Sequence, residues 1–150
     1  MHIEHPPSMA QIHFLRPLKK WRILSLKDLK DECHDTSTFS SFTRRIYRLE
    51  RDKNLLDSFI DPYTKEKYVF LSQKGASYVS EKPDSPSLSP QTIIHDAKVS
   101  KLTRAFLKLE LFRNHSLEHE YKQQLFTNRA RADAILTGKK KRKDFQIALE

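Results

Sequence analysis

Four apolar side chains, Phe39, Phe42, Ile46 and Leu49, recur at steps of three, four and three. An α-helix with a single apolar stripe satisfies that spacing, so the segment from Thr38 to Lys53 is predicted to lay these residues on a core. Off the stripe lie Ser40, Ser41, Thr43, Arg44, Tyr47, Arg48 and Arg51. Between Ser37 and Asn54 the basic residues Arg44, Arg45, Arg48, Arg51 and Lys53 face only Glu50 and Asp52, a local balance of +3. Short hydroxyls followed by arginines suit a helix that enters a major groove by its N-terminal end. The small residues permit close approach, and arginine pairs with guanine or clamps phosphate. A solvated face with ordinary ion pairs would have the same composition.

The flanking segments give this helix a setting. Ile12, Leu15, Leu18 and Trp21, with Phe14, predict a first helix over Gln11–Ile23, with Pro17 near its first turn or bending it. Trp21 falls on the periodic face and reads as core. Ser25 precedes Leu26, Leu29 and Cys33 and predicts a short capped helix. A polar break, His34–Ser37, follows, in which Thr36 or Ser37 can cap the next helix. Two helices split by a few polar residues form a helix-turn-helix arrangement. Asn54 then suits the left-handed exit from the Thr38–Lys53 helix.

Leu55–Pro62 and Glu66–Ser72 read as two strands joined through Asp61–Lys65, with Pro62 in the turn because it cannot donate to a ladder. Lys65 and Lys67 belong to this tip, placed to meet a phosphate backbone or minor groove. Ser72 caps a further helix through Gly75.

Composition narrows the chemistry. A formal charge of +9 on 150 residues favours a polyanion, nucleic acid first. Only Gly75 and Gly138 are glycines, so glycine-rich phosphate loops cannot be built, and no cofactor or small-molecule substrate is expected. The single cysteine, Cys33, allows no internal disulfide, which fits a reducing cytoplasm. No apolar run reaches the roughly 18–20 residues of a membrane span, and the N-terminus lacks a secretory pattern, so no membrane partner is expected.

Residues 81–90 hold three prolines and read as a linker between domains at 11–80 and 91–150. Ser89 and Pro90 open a helix with Val99, Leu102, Phe106 and Leu109 on one face, able to pack on the last strands or on a second copy in a homodimer. Three strands are then predicted, over Ser116–Phe126, Arg129–Leu136 and Asp144–Glu150. The basic run Lys139–Lys143 falls at the link joining the last two and reads as a solvated hairpin tip that gives some non-specific help to DNA binding, with a phosphate patch or a nuclear-localisation signal as alternatives. His115 with His119, and His95 with Asp96, read as structural pairs rather than metal ligands.

RRIYRLERDKNLL, a hairpin and LSQKG together resemble the recognition helix, wing and following helix of winged-helix regulators of the multiple-antibiotic-resistance type. Asn54 departs from the glycine usual there. From Ile94 onward, HDAKVSKL, ARADAIL and FQIALE resemble the replication-relaxation family of bacterial plasmid proteins, which act in replication, relaxation and mobilisation. That resemblance implies an α+β chain: a winged helix-turn-helix, then a helix and a small, incomplete α/β unit of the restriction-endonuclease-like fold. It also implies that Asp133 and Glu150 correspond to the acidic positions of a magnesium site. The family's basic residue two positions later has no counterpart before the chain ends.

The expected function is therefore double-stranded DNA binding on a mobile element or in transcription, without catalysis. Ser40, Ser41, Thr43, Arg44, Arg45, Tyr47, Arg48, Arg51, Lys65 and Lys67 form the expected interface. One alternative is a metal-dependent nuclease with a site completed beyond residue 150. Another is a protein-docking module built on the winged helix.

Overall fold

The computed structural model describes residues 5–80, 90–117, 133–140 and 143–149. The predicted linker up to Ser89, most of the strand expected over Ser116–Phe126, and His119, Lys141, Arg142 and Glu150 lie outside the described residues. The chain is of mixed α+β class and divides into two compact units, residues 1–97 and 98–150, at a point inside one helix. No helix among the described residues is long and apolar enough to cross a membrane.

Helix α1 spans Met9–Trp21 and begins earlier than its apolar spacing predicts. Ser8 starts it through a reciprocal capping box, in which Gln11 N–H donates to Ser8 Oγ and Ser8 N–H donates to Gln11 Oε1. Pro17 therefore falls well inside the helix rather than in its first turn. Strand β1, Ile23–Ser25, was not anticipated. Ser25 belongs to it and also caps α2, Leu26–Glu32, by accepting from Asp28 N–H at 3.1 Å. Three residues are too few to show a period, so only pairing reveals such a strand.

Helix α3 spans Phe39–Arg51, and its cap is Thr38 rather than Thr36 or Ser37. Thr38 Oγ1 accepts from Ser41 N–H at 3.2 Å. Phe42, Ile46 and Leu49 are fully buried, as their spacing demands, and the Phe42 ring meets Phe14 of α1 edge-on at 5.7 Å. Phe39 departs from the predicted stripe: as the first helical residue it precedes the core contact and stays 52% exposed.

Strands β2 (Leu56–Ile60) and β3 (Lys67–Leu71) form the hairpin, and β1 adds to the far side of β3 in an antiparallel sheet ordered β1-β3-β2. Asn54 takes φ 52°, the left-handed exit expected of it. Ser72 caps α4, Gln73–Val79, and its hydroxyl also donates to Asn54 O at 2.6 Å. A Cβ on Gly75 would lie 1.9 Å from Leu55 O, so glycine lets α4 press onto the chain entering β2.

Helix α5 spans Pro90–Leu107. Ile93 and Ala97, in the part of α5 that belongs to the first unit, join a cluster with Ile23 and Tyr68, flanked by Phe59 and Phe70. Further along, the predicted stripe does not describe the buried face. Leu102 and Leu109 are each half exposed, whereas Ser100, Thr103 and Arg104 are buried.

In the second unit, β4 (Phe112–Leu117), β5 (Ala134–Lys140) and β6 (Lys143–Leu149) form an antiparallel meander ordered β4-β5-β6. The first of these begins before Ser116, where alternation had suggested a strand. Phe112 meets both Phe106 and Phe145 edge-on, each at 5.5 Å.

Candidate nucleic-acid interface

Burial of Phe42, Ile46 and Leu49 turns the opposite side of α3 to solvent. Ser40, Ser41, Arg44, Tyr47, Arg48 and Arg51 are all exposed there, while Thr43 and Arg45 are half-buried. Arg44, Arg48 and Arg51 stand at steps of four and three, which puts three guanidinium groups along one ridge. None of the three has a hydrogen-bond or ion-pair partner among the described residues.

Arg45 is spent differently. Its Nη2 donates to Asp35 Oδ2 at 2.7 Å and to Ser37 Oγ at 2.5 Å, and its guanidinium lies 5.2 Å from the Phe14 ring centroid. Asp35 in turn accepts from the Ser37 N–H at 2.9 Å and from the Ser37 hydroxyl. Burial works to raise the pKa of Asp35, but these donors and the Arg45 charge outweigh it and hold the carboxyl below its ordinary value. The network fixes the loop that leads into Thr38.

Nearby, burial pushes the Cys33 thiol up to about 12, with the Asp35 and Glu32 charges adding to the effect. That thiol is a packed side chain and not a nucleophile.

Lys67 is likewise committed. Its Nζ donates to Glu50 Oε2 at 2.5 Å and sits 4.0 Å from the Tyr47 ring centroid. Ser58 Oγ donates to the other Glu50 oxygen at 2.5 Å, so one α3 carboxylate holds both strands of the hairpin. Lys67 therefore faces α3 rather than the tip.

The tip keeps Lys65, exposed at φ 59°. Asp61 builds the turn by accepting from Tyr63 N–H at 2.8 Å, and Tyr63 is 89% exposed beside it. Glu50 and Ser58 were overlooked because their pairing depends on how the hairpin meets α3.

The remaining candidates come together less. Asp133 lies just before β5, where its N–H donates to Leu149 O at 2.7 Å, and Glu150 lies outside the described residues. Among the described residues, no group of three or more His, Cys, Asp or Glu side chains could hold a metal ion. His95 Nδ1 lies 3.2 Å from Asp96 Oδ1, and Asp96 also pairs with Arg22 at 3.4 Å. No family model, curated protein or solved structure matches the chain.

Proposed function

We propose that residues 11–80 form a winged helix-turn-helix that binds double-stranded DNA, with α3 in the major groove and the β2–β3 hairpin as the wing. The observation that carries this reading is the sorting of basic residues on and around α3. Arg45 and Lys67 are consumed by Asp35 and Glu50. Arg44, Arg48 and Arg51 remain exposed along one ridge without counter-charges among the described residues. A face kept only for solubility gains nothing from leaving three neighbouring arginines unpaired, whereas a phosphate or guanine edge satisfies them.

The element order supports the same reading: three helices, a three-stranded antiparallel sheet with one strand between the first two helices and two after the third, and a hairpin held to the third helix. The resemblance to the replication-relaxation family suggests service on a bacterial plasmid or other mobile element, in replication, mobilisation or transcription.

Fluorescence anisotropy with duplex DNA across a salt series tests the proposal. Replacing Arg44 or Arg48 with alanine is expected to cost about 1–3 kcal/mol where that residue reads a guanine. Binding that ignores salt, or that survives loss of both arginines, would overturn it.

A further inference from the structure

The basic excess of this chain is not concentrated around α3. Thirteen of its 28 lysines and arginines, but only six of its 19 acidic residues, fall between Lys98 and Glu150. The second unit thus carries a formal +7 and the first only +2.

Part of that charge is gathered at one end of a hairpin. The β5–β6 register sets Lys140 directly opposite Lys143, and Lys139 opposite Asp144. Directly paired residues project from the same face of a sheet, with Cβ atoms about 5 Å apart. Lys139 therefore has a counter-charge across the strands, while Lys140 and Lys143 have like charge. All three lysines are exposed.

Like charges placed directly opposite destabilise an antiparallel pair, yet the base of this hairpin is closely built. A Cβ on Gly138 would lie 2.3 Å from Leu111 O and 2.5 Å from the Phe145 ring. Lys139 N–H donates to Leu111 O at 3.1 Å, and Phe145 packs edge-on against Phe112. A tightly packed ribbon therefore ends in a repulsive pair of ammonium groups. An anion between them turns that repulsion into attraction, and a phosphodiester backbone supplies such anions at close, regular spacing.

We propose that this end of the β5–β6 hairpin, through the paired Lys140 and Lys143, is a second nucleic-acid contact. It grips the phosphate backbone of a duplex without reading bases, and it does not depend on the role given to α3. Lysines alone are also drawn to anionic headgroups, but stable insertion needs apolar side chains among them, and the described tip residues are all lysines.

The test uses the full chain and a duplex of arbitrary sequence, with anisotropy read from roughly 50 to 200 mM salt. Lys140→Ala with Lys143→Ala should lower the slope of log affinity on log salt by about 2, so the wild-type advantage shrinks roughly tenfold across that range. Its melting temperature should equal or exceed the wild type, because the repulsion is gone. Lys140→Glu, which places an opposite charge across from Lys143, should melt higher and bind DNA more weakly.

An unchanged slope in both variants would overturn the proposal. So would a loss of binding that follows a loss of stability, or weaker binding to phosphatidylserine vesicles with the DNA slope intact. Arg44→Ala with Arg48→Ala, run alongside, separates the two surfaces. Loss there alone rejects the hairpin contact and keeps α3, and loss at the hairpin alone does the reverse.

Discussion

Lys67 of β3 donates to Glu50 of α3 at 2.5 Å, and both side chains are mostly withdrawn from water, 14% and 19% exposed. Because Glu50 also accepts from Ser58 of β2, the hairpin is tied through both strands to the helix bearing the exposed arginines. Lys67 thus holds the hairpin against α3.

Glu50→Ala should therefore act on stability first. It strands the Lys67 ammonium in a largely buried position and removes the acceptor of Ser58, for a loss of about 2–3 kcal/mol in urea unfolding. Combining it with Lys67→Met should restore part of that loss, since no unpaired charge remains. A single variant within about 0.5 kcal/mol of wild type would mean that the pair contributes little.

Asp35 gives the first unit an acid-sensitive contact. Its folded-state pKa lies below the ordinary value of 3.8, since donors from Ser37 and Arg45 override the upward pull of burial. The unfolded chain therefore takes up this proton first as pH falls. The stabilisation is complete above the ordinary value, declines below it, and is lost once pH passes under the folded-state value. Arg45 is 38% exposed and solvent-screened, so Asp35→Asn should cost only about 1 kcal/mol at pH 7. That gap should close as pH drops below about 4 in a series of urea titrations.

These two contacts also show what could be read from the chain and what could not. Phe42, Ile46 and Leu49 announce their helix because burial follows a 3.6-residue period that hydropathy reports. The buried side of α5 escapes the same test, because Ser100, Thr103 and Arg104 are polar and the exposed Leu102 and Leu109 are apolar. Lys65 and Lys67 look alike in sequence, two positions apart at a hairpin. Register alone separates them: Lys67 opposes Ile60 and reaches Glu50, while Lys65 sits in the turn. The arginines divide for the same reason, since Arg45 becomes structural only when the loop before α3 brings Asp35 to it.

The two residues that shape the passage from α3 to α4 should respond in opposite ways. Glycine to alanine inside an exposed helix usually gains about 1 kcal/mol. Gly75→Ala should instead lose about 2–3 kcal/mol, because its Cβ meets the Leu55 backbone, which no rotamer can move. Asn54→Gly should gain about 0.5 kcal/mol, as φ 52° suits glycine better than any side chain. Urea midpoints for the two variants on either side of wild type would bear this out, and a stabilised Gly75→Ala would contradict the packing.

Arg45 and Arg48, three residues apart on α3, should separate stability from binding. Arg45→Met removes the bonds to Asp35 and Ser37 and the contact with Phe14, and should cost about 1–2 kcal/mol of stability. Its DNA salt slope should match the wild type, because that guanidinium is already occupied. Arg48→Ala removes an exposed side chain with no partner among the described residues, so stability should stay within about 0.5 kcal/mol. Its slope on log salt should fall by about 0.9, the loss of one phosphate contact. A variant pair that loses stability and binding in step would show instead that the ridge serves the fold, and the assignment of α3 to the groove would have to be withdrawn.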